Sequence, residues 1–285
     1  MSEIIIGLFA FAVGACVGSF LNVCISRWPL ELSVVSPPSR CPRCERPIRW
    51  NENIPVLGWL LLRGRCRGCE LPISMQYPAV ELAVGVGWLA VVYALGPTFT
   101  ALRVAVFGTV MLGIAITDAR HYLIPDGFTV FGLLWVIVTS VLAALWGDPG
   151  TFAGPWNAIL GMCVGAGAIA IAGWLGEVVM RREAMGFGDV TLMAVVGAAV
   201  GPGRALLVVF LGAFLGAVTF MLFVLPITRL RGGTRNGPQL ELPIGASVAV
   251  APEVPFGVFL APAAVVTLLW GDTLIAWYLA RFATL

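Results

Sequence analysis

Two groups of residues in this chain have the types and spacing for chemistry. The first is a cysteine quartet: Cys41 with Cys44, and Cys66 with Cys69, form two C-x-x-C pairs separated by 21 residues. That spacing is close to the zinc ribbons, in which two turns each present two thiolates to one tetrahedral ion. Four thiolates leave no position open for substrate, so such a site is structural rather than catalytic. Neighbouring arginines favour the thiolate form, and bound metal supplies folding free energy that a small insert with few apolar residues lacks. A pair of disulfides is the competing reading. The arginine distribution places these cysteines in a reducing compartment, which disfavours it. Cys16, Cys24 and Cys163 lie in or beside apolar segments and read as packing residues.

The second group is acidic. Glu81, Asp118, Asp126, Glu177 and Asp189 lie within or at the boundary of apolar segments, where an ionisable group is expensive and marks function by default. Asp126, just after Pro125, is placed to cap a helix N-terminus. Asp118 ends the preceding segment, the wrong dipole end for an anion; pairing with Arg120 or His121 is its plain alternative. Asp189 closes "GFGD" (186–189) and has an N-cap as its plain alternative. Gly186 and Gly188 permit a sharp turn and close backbone approach, which capping does not need. Two carboxylates brought together from distant segments are suited to activating water against an amide, one taking the proton and the other protonating the carbonyl oxygen.

The elements that must position these groups are legible from composition. The chain of 285 residues is 59% hydrophobic and 11% charged, with a mean hydropathy of +0.96, far more apolar than a soluble domain. The expected fold is an all-α polytopic membrane protein with about eight transmembrane helices and a small cytoplasmic four-cysteine zinc-binding insert. Apolar segments fall near 3–24, 79–96, 99–117, 127–146, 157–180, 190–202, 205–228 and 256–280, the sixth being short. Their continuity, without period-2 alternation, excludes a β-barrel. The first segment reads as a permanent helix rather than a removed signal peptide. The organisation expected is a first transmembrane helix (1–24), a cytoplasmic insert (25–78) and a membrane-embedded remainder (79–285).

All 17 basic residues are arginines, and positive residues are retained on the cytoplasmic side. Eight of them lie in 25–78, and Arg120, Arg181, Arg182, Arg229, Arg231 and Arg235 fall in later connections on the same side. Only Arg103, Arg204 and Arg281 fall opposite. The insert and the acids therefore face the cytoplasm, with both termini outside. The turn-rich connection 229–254 reads as a loose loop or cytoplasmic flap.

The motif "GFGD", with an aspartate at the end of an earlier span, resembles the GxGD class of membrane-embedded aspartyl proteases. Together with "GSFLNVCISRWP" (18–29), "NIPVLGWLLLRGRC" (53–66), "YPAVE" (77–81), "DARHYLIPD" (118–126) and "PFGVFLA" (255–261), it makes the chain resemble the type IV prepilin peptidases over nearly its whole length. The resemblance implies a bifunctional enzyme of the inner membrane that cleaves the basic leader of a prepilin or pseudopilin, serving pilus or secretion systems, and then methylates the new N-terminal amine. It assigns catalysis to Asp118 and Asp189, a supporting role to Asp126, and S-adenosylmethionine as methyl donor. Asn22, Arg27, Glu52, Asn53 and Glu81, the polar members of the matching stretches, are the candidates for holding that donor. The family often carries lysine two residues after its second aspartate, where this chain has Thr191 and no lysine anywhere. The implied partners are the prepilin substrate and the bilayer, with no nucleic acid. Two rivals come from other classes. A proton-coupled transporter requires acids near mid-span and an inverted repeat, and a membrane-tethered zinc-ribbon adaptor leaves Asp118 and "GFGD" without a purpose.

Overall fold

The computed structural model describes residues 2–148, 150–181, 185–226, 239–241, 247–249 and 255–282. Most of the connection 229–254, including its three arginines, lies outside the described residues, as does Arg182. Within that connection two three-residue strands, β1 (Gln239–Glu241) and β2 (Ser247–Ala249), pair antiparallel.

Among the described residues the architecture is a helical bundle. Its long helices are α1 (Ser2–Arg27), α3 (Gln76–Leu95), α4 (Phe99–His121), α5 (Asp126–Trp146), α6 (Pro155–Met180), α8 (Pro202–Thr219) and α9 (Gly257–Phe282). Those seven are long and apolar enough to cross a membrane, α8 continuing through a π turn at Phe220–Val224. A five-residue helix α2 (Leu57–Leu61) lies in the insert, and α7 (Phe187–Val200) is a short apolar helix of 14 residues.

Helix boundaries follow local chemistry. Thr98 caps α4 by accepting from the Ala101 amide at 3.1 Å, as N-cap threonines do. Prolines open α6 and α8, where the missing N–H costs nothing. Gly147 ends α5 with φ 70°, and Gly201, φ 84°, turns the chain between α7 and α8, a conformation glycine adopts without steric cost.

At 1.5 Å per residue α7 is about 21 Å long, short of a ~30 Å hydrocarbon layer. It is the central element, packed against α5, α6, α8 and α9, and Leu192, Met193, Val195, Val196, Ala198 and Ala199 on it are fully buried. Its approach to α6 is backbone to backbone: a Cβ on Gly161 would collide with the Gly197 carbonyl, and one on Gly165 with that of Met193. Small residues at such a crossing let membrane helices pack closely without a hydrophobic driving force.

The end of the bundle opposite the acids is tied by one buried and one partly buried cation. Arg103, 1% exposed, lies over the Phe152 ring at 4.2 Å and donates through Nε to Thr139 Oγ1 at 3.2 Å. Arg204 spans from the Val200 carbonyl to that of Thr151. Nothing in the sequence distinguished Arg103 from a boundary charge. Of the three isolated cysteines, Cys24 packs in the core, whereas Cys16 and Cys163 are on the outer surface of the bundle, a position a weakly polar thiol tolerates against lipid.

Candidate active site and metal centre

Helix α4 runs one turn past Asp118, ending at His121 with Tyr122 in the left-handed conformation (φ 52°). Asp118 therefore does not end the segment but sits inside it, buried. Among the described residues it pairs with neither Arg120 nor His121. Its Oδ2 instead accepts from the Val258 amide at 3.2 Å, at the first turn of α9. The anion that seemed at the wrong end of its own helix thus lies at the favourable end of another, where unpaired amides and the dipole hold negative charge. Gly257 makes the approach possible, since a Cβ there would lie 2.8 Å from Oδ2. The "PFG" stretch carried this signal, but only the packing of α9 against α4 reveals its use.

Asp189 is the third residue of α7, half-buried, with its amide bonded to the Gly186 carbonyl at 3.1 Å. Asp189 lies within reach of the charge on Asp118. Helices α4 and α7 are not principal neighbours; α5 and α9 pack on both and hold the two acid-bearing turns near each other. Ile124 is the wedge between the elements: a Cβ on Gly188 would lie 3.0 Å from Ile124 Cβ, and one on Gly257 3.1 Å from Ile124 Cδ1. Of the sharp turn and the close approach expected of the glycines of "GFGD", the contacts bear on the second. Neither is among the residues with positive φ. Gly188 is required by contact with Ile124, and Gly186 faces open space, with nothing nearer a Cβ than 4.0 Å. Thr191 donates to the Gly188 carbonyl at 2.9 Å, bracing the same turn.

Asp126 is exposed in the first turn of α5, where Pro125 is the cap and no side-chain bond is made. The capping expectation fails because the extended Pro125 already places the chain at the helix start. A cavity of about 400 Å³ flanks the turn, lined by Ile169, Trp174, Glu177, Gly186, Phe187 and Val190.

In the insert, the four cysteine sulfurs lie within 4.8 Å of one another. Cys41–Cys69 and Cys44–Cys66 are each 3.9 Å apart, close to the ~3.8 Å edge of a tetrahedron with 2.3 Å metal–sulfur bonds. The quartet is thus fit to hold a metal ion. It is built from two copies of one turn, "RCPRCERP" (40–47) and "RCRGCELP" (65–72). In each, the first cysteine amide bonds five residues on, to Arg46 or Leu71, and the glutamate after the second cysteine, Glu45 or Glu70, takes positive φ. Backbone amides favour two of the thiolates: those of Cys44 and Arg43 hold Cys41 down, and those of Cys69 and Gly68 lower Cys66 to about 6, whereas Cys69, against the Leu71 amide, is pushed up to about 11 by desolvation and the neighbouring sulfurs.

The remaining polar candidates divide. Asn22 and Glu81 are both buried where α1 packs on α3. Asn22 donates to the Tyr77 carbonyl at 3.1 Å while its Oδ1 is buried without a partner. Glu81 accepts from the Val56 amide at 2.7 Å. Glu52 has both oxygens engaged, Oε1 with Arg46 (2.8 Å) and Arg67 (3.5 Å) and Oε2 with the Arg49 amide. Arg46 holds its carboxyl below the usual range, and the residue clamps the two cysteine turns together. Arg27 binds the Ser33 and Pro37 carbonyls, and Asn53 is exposed beside Glu52.

Comparison with known proteins places this geometry. The profile of the type IV leader peptidase family matches residues 105–221, and that of the bacterial peptidase A24 N-terminal domain matches residues 12–95. A prepilin leader peptidase/N-methyltransferase from Aeromonas hydrophila is 33% identical over 95% of this chain and 93% of its own length. The chain belongs to the type IV leader peptidase family. Proteins of the same description from Stutzerimonas stutzeri (36% identical, 98% of this chain, 95% of that protein) and Myxococcus xanthus (40%, 80% and 66%) are also similar. No solved structure matches. In this leader peptidase the match to the N-terminal domain contains the cysteine quartet, Asn22 and Glu81. Both aspartates lie in the other.

Proposed function

We propose that this chain removes the leader peptide of type IV prepilins or pseudopilins at the cytoplasmic face of the inner membrane and then methylates the exposed amine with S-adenosylmethionine. The observation that supports the reading is the nearness of Asp118 and Asp189: two acids 71 positions apart in sequence, with Asp118 near enough for its charge to act on Asp189 and with the Ile124 side chain against both Gly188 and Gly257 beside them. The names of the similar proteins supply the substrate.

The geometry suits a peptide bond at the membrane boundary. Helix α7 is about 9 Å shorter than a hydrocarbon layer; with its acid-bearing end recessed, the cavity of about 400 Å³ beside Gly186 would give water and an extended strand a way in. One carboxylate removes a proton from water as its oxygen attacks the scissile carbonyl, while the other protonates the carbonyl oxygen. Collapse of the tetrahedral adduct then breaks the C–N bond, and the dyad returns a proton to the leaving amine. The open face at Gly186 lets substrate backbone approach without a side chain between it and Asp189.

The cysteine quartet is proposed to bind zinc as a structural ion. The methyl donor supplies an electrophilic methyl group to the amine. Asn22, with its unpartnered buried oxygen, and Glu81 are the residues proposed to hold it, while Arg27, Glu52 and Asn53 shape the surrounding insert. Mass spectrometry of a purified prepilin incubated with the enzyme tests both activities. Cleavage without added S-adenosylmethionine, and gain of one methyl group only with it, is the expected result; an uncleaved substrate contradicts the reading.

A further inference from the structure

The insert has an apolar surface that its own fold leaves uncovered. Helix α2 directs Gly58 and Trp59 inward: a Cβ on Gly58 would strike the Glu52 carbonyl, and the Trp59 indole donates to the Ile73 carbonyl at 3.2 Å. Leu57, Leu60 and Leu61, at the i, i+3, i+4 positions of one helix face, are left outward at 55%, 55% and 76% exposure. Trp50, 83% exposed, belongs to the short turn Trp50–Glu52 that packs against α2. Arg49 and Arg63, both exposed, flank these residues in sequence.

The depth of this patch is fixed by a second observation. Val56, immediately before α2, donates its amide to Glu81 on α3. Glu81 lies five residues inside α3, roughly 7.5 Å along an axis whose 20 residues span about 30 Å, the thickness of the hydrocarbon core. Val56 holds φ 61°, a conformation costing a β-branched residue on the order of 1–3 kcal/mol unless its surroundings impose it. The Glu81 bond is such an imposition. The insert is therefore not a free domain on a tether but is pinned by α2's own start to the first turns of α3.

We infer that α2 and Trp50 form an interfacial anchor, with Leu57, Leu60 and Leu61 seated among the acyl chains and Arg49 and Arg63 on anionic phospholipid headgroups. An apolar helix face rimmed by arginines, with an aromatic ring at headgroup level, is the composition such a contact requires. The anchor holds the cysteine quartet against the membrane, next to the α1–α3 pair from which the insert springs. The inference takes the bilayer as its setting and does not depend on the peptidase reading.

The test places a photoreactive benzoylphenylalanine at Leu61, at Trp50 or at Glu45, the last on the first cysteine turn, in the full chain reconstituted in nanodiscs of equal phosphatidylglycerol and phosphatidylcholine. Zinc content and prepilin cleavage are measured on the same samples, so failure of the enzyme reading is seen separately. Lipid adducts at Leu61 and Trp50, at least tenfold above Glu45 and enriched at least threefold in phosphatidylglycerol, are the expected result. Adducts to protein only, equal lipid labelling at Glu45, or no preference between the two lipids overturns it.

Discussion

At the scale of single residues, the site depends on how Asp118 is held rather than on the acid alone. The carboxylate rests on the first amides of α9, and the absent side chain of Gly257 admits it. Gly257→Ala places a methyl group against Oδ2, and overpacking of this kind costs about 1–3 kcal/mol. Prepilin cleavage by this variant is expected to fall roughly 10- to 100-fold in kcat with little change in KM, checked by steady-state assay in detergent. Asp126→Asn removes an exposed carboxylate that bonds to nothing in its own helix start, so cleavage within about twofold of wild type is expected in the same assay.

At the scale of elements, glycine contacts set where α7 can go. A side chain at Gly161 would enter the backbone of α7; Gly161→Val is expected to lower the thermal stability of the purified protein by about 3 kcal/mol or prevent its accumulation, measured by unfolding in detergent. The insert is a separate element with its own device. Cys41→Ser or Cys66→Ser is expected to abolish bound zinc by metal analysis and to weaken methylation more than cleavage, because the quartet lies in the insert while both aspartates lie elsewhere. Metal analysis finding no zinc in the intact enzyme contradicts that account. The positions of these elements were readable in the sequence wherever apolar runs are bounded by Pro, Gly or Thr, as at Thr98, Pro155 and Gly201. Spacing alone brought out the cysteine quartet, because two short turns suffice to place four sulfurs. Three features were not legible: the doubled cysteine turn, whose equivalence lies in backbone bonds; the burial of Arg103, which looked like a boundary charge; and the amides beneath Asp118, contributed from 140 positions away. The last two depend on packing between distant helices, to which local pattern is blind.

At the scale of the whole molecule, the proposed topology counts short α7 as a crossing beside the seven long helices, which would put both ends of the chain on the side opposite the insert. Alkaline phosphatase fused after residue 285 is expected to be active, and fused after residue 62 or 120 to be inactive, in whole cells; activity at residue 62 reverses the assigned orientation. On the proposed orientation, two acids from distant helices lie at the membrane face where a substrate's leader would emerge. The most direct test is cleavage of a purified prepilin by Asp118→Asn and by Asp189→Asn, each shown by its unfolding profile and zinc content to be intact. A loss of at least a thousandfold in both variants is the result predicted from a dyad acting as a unit; near-normal processing by either one contradicts it.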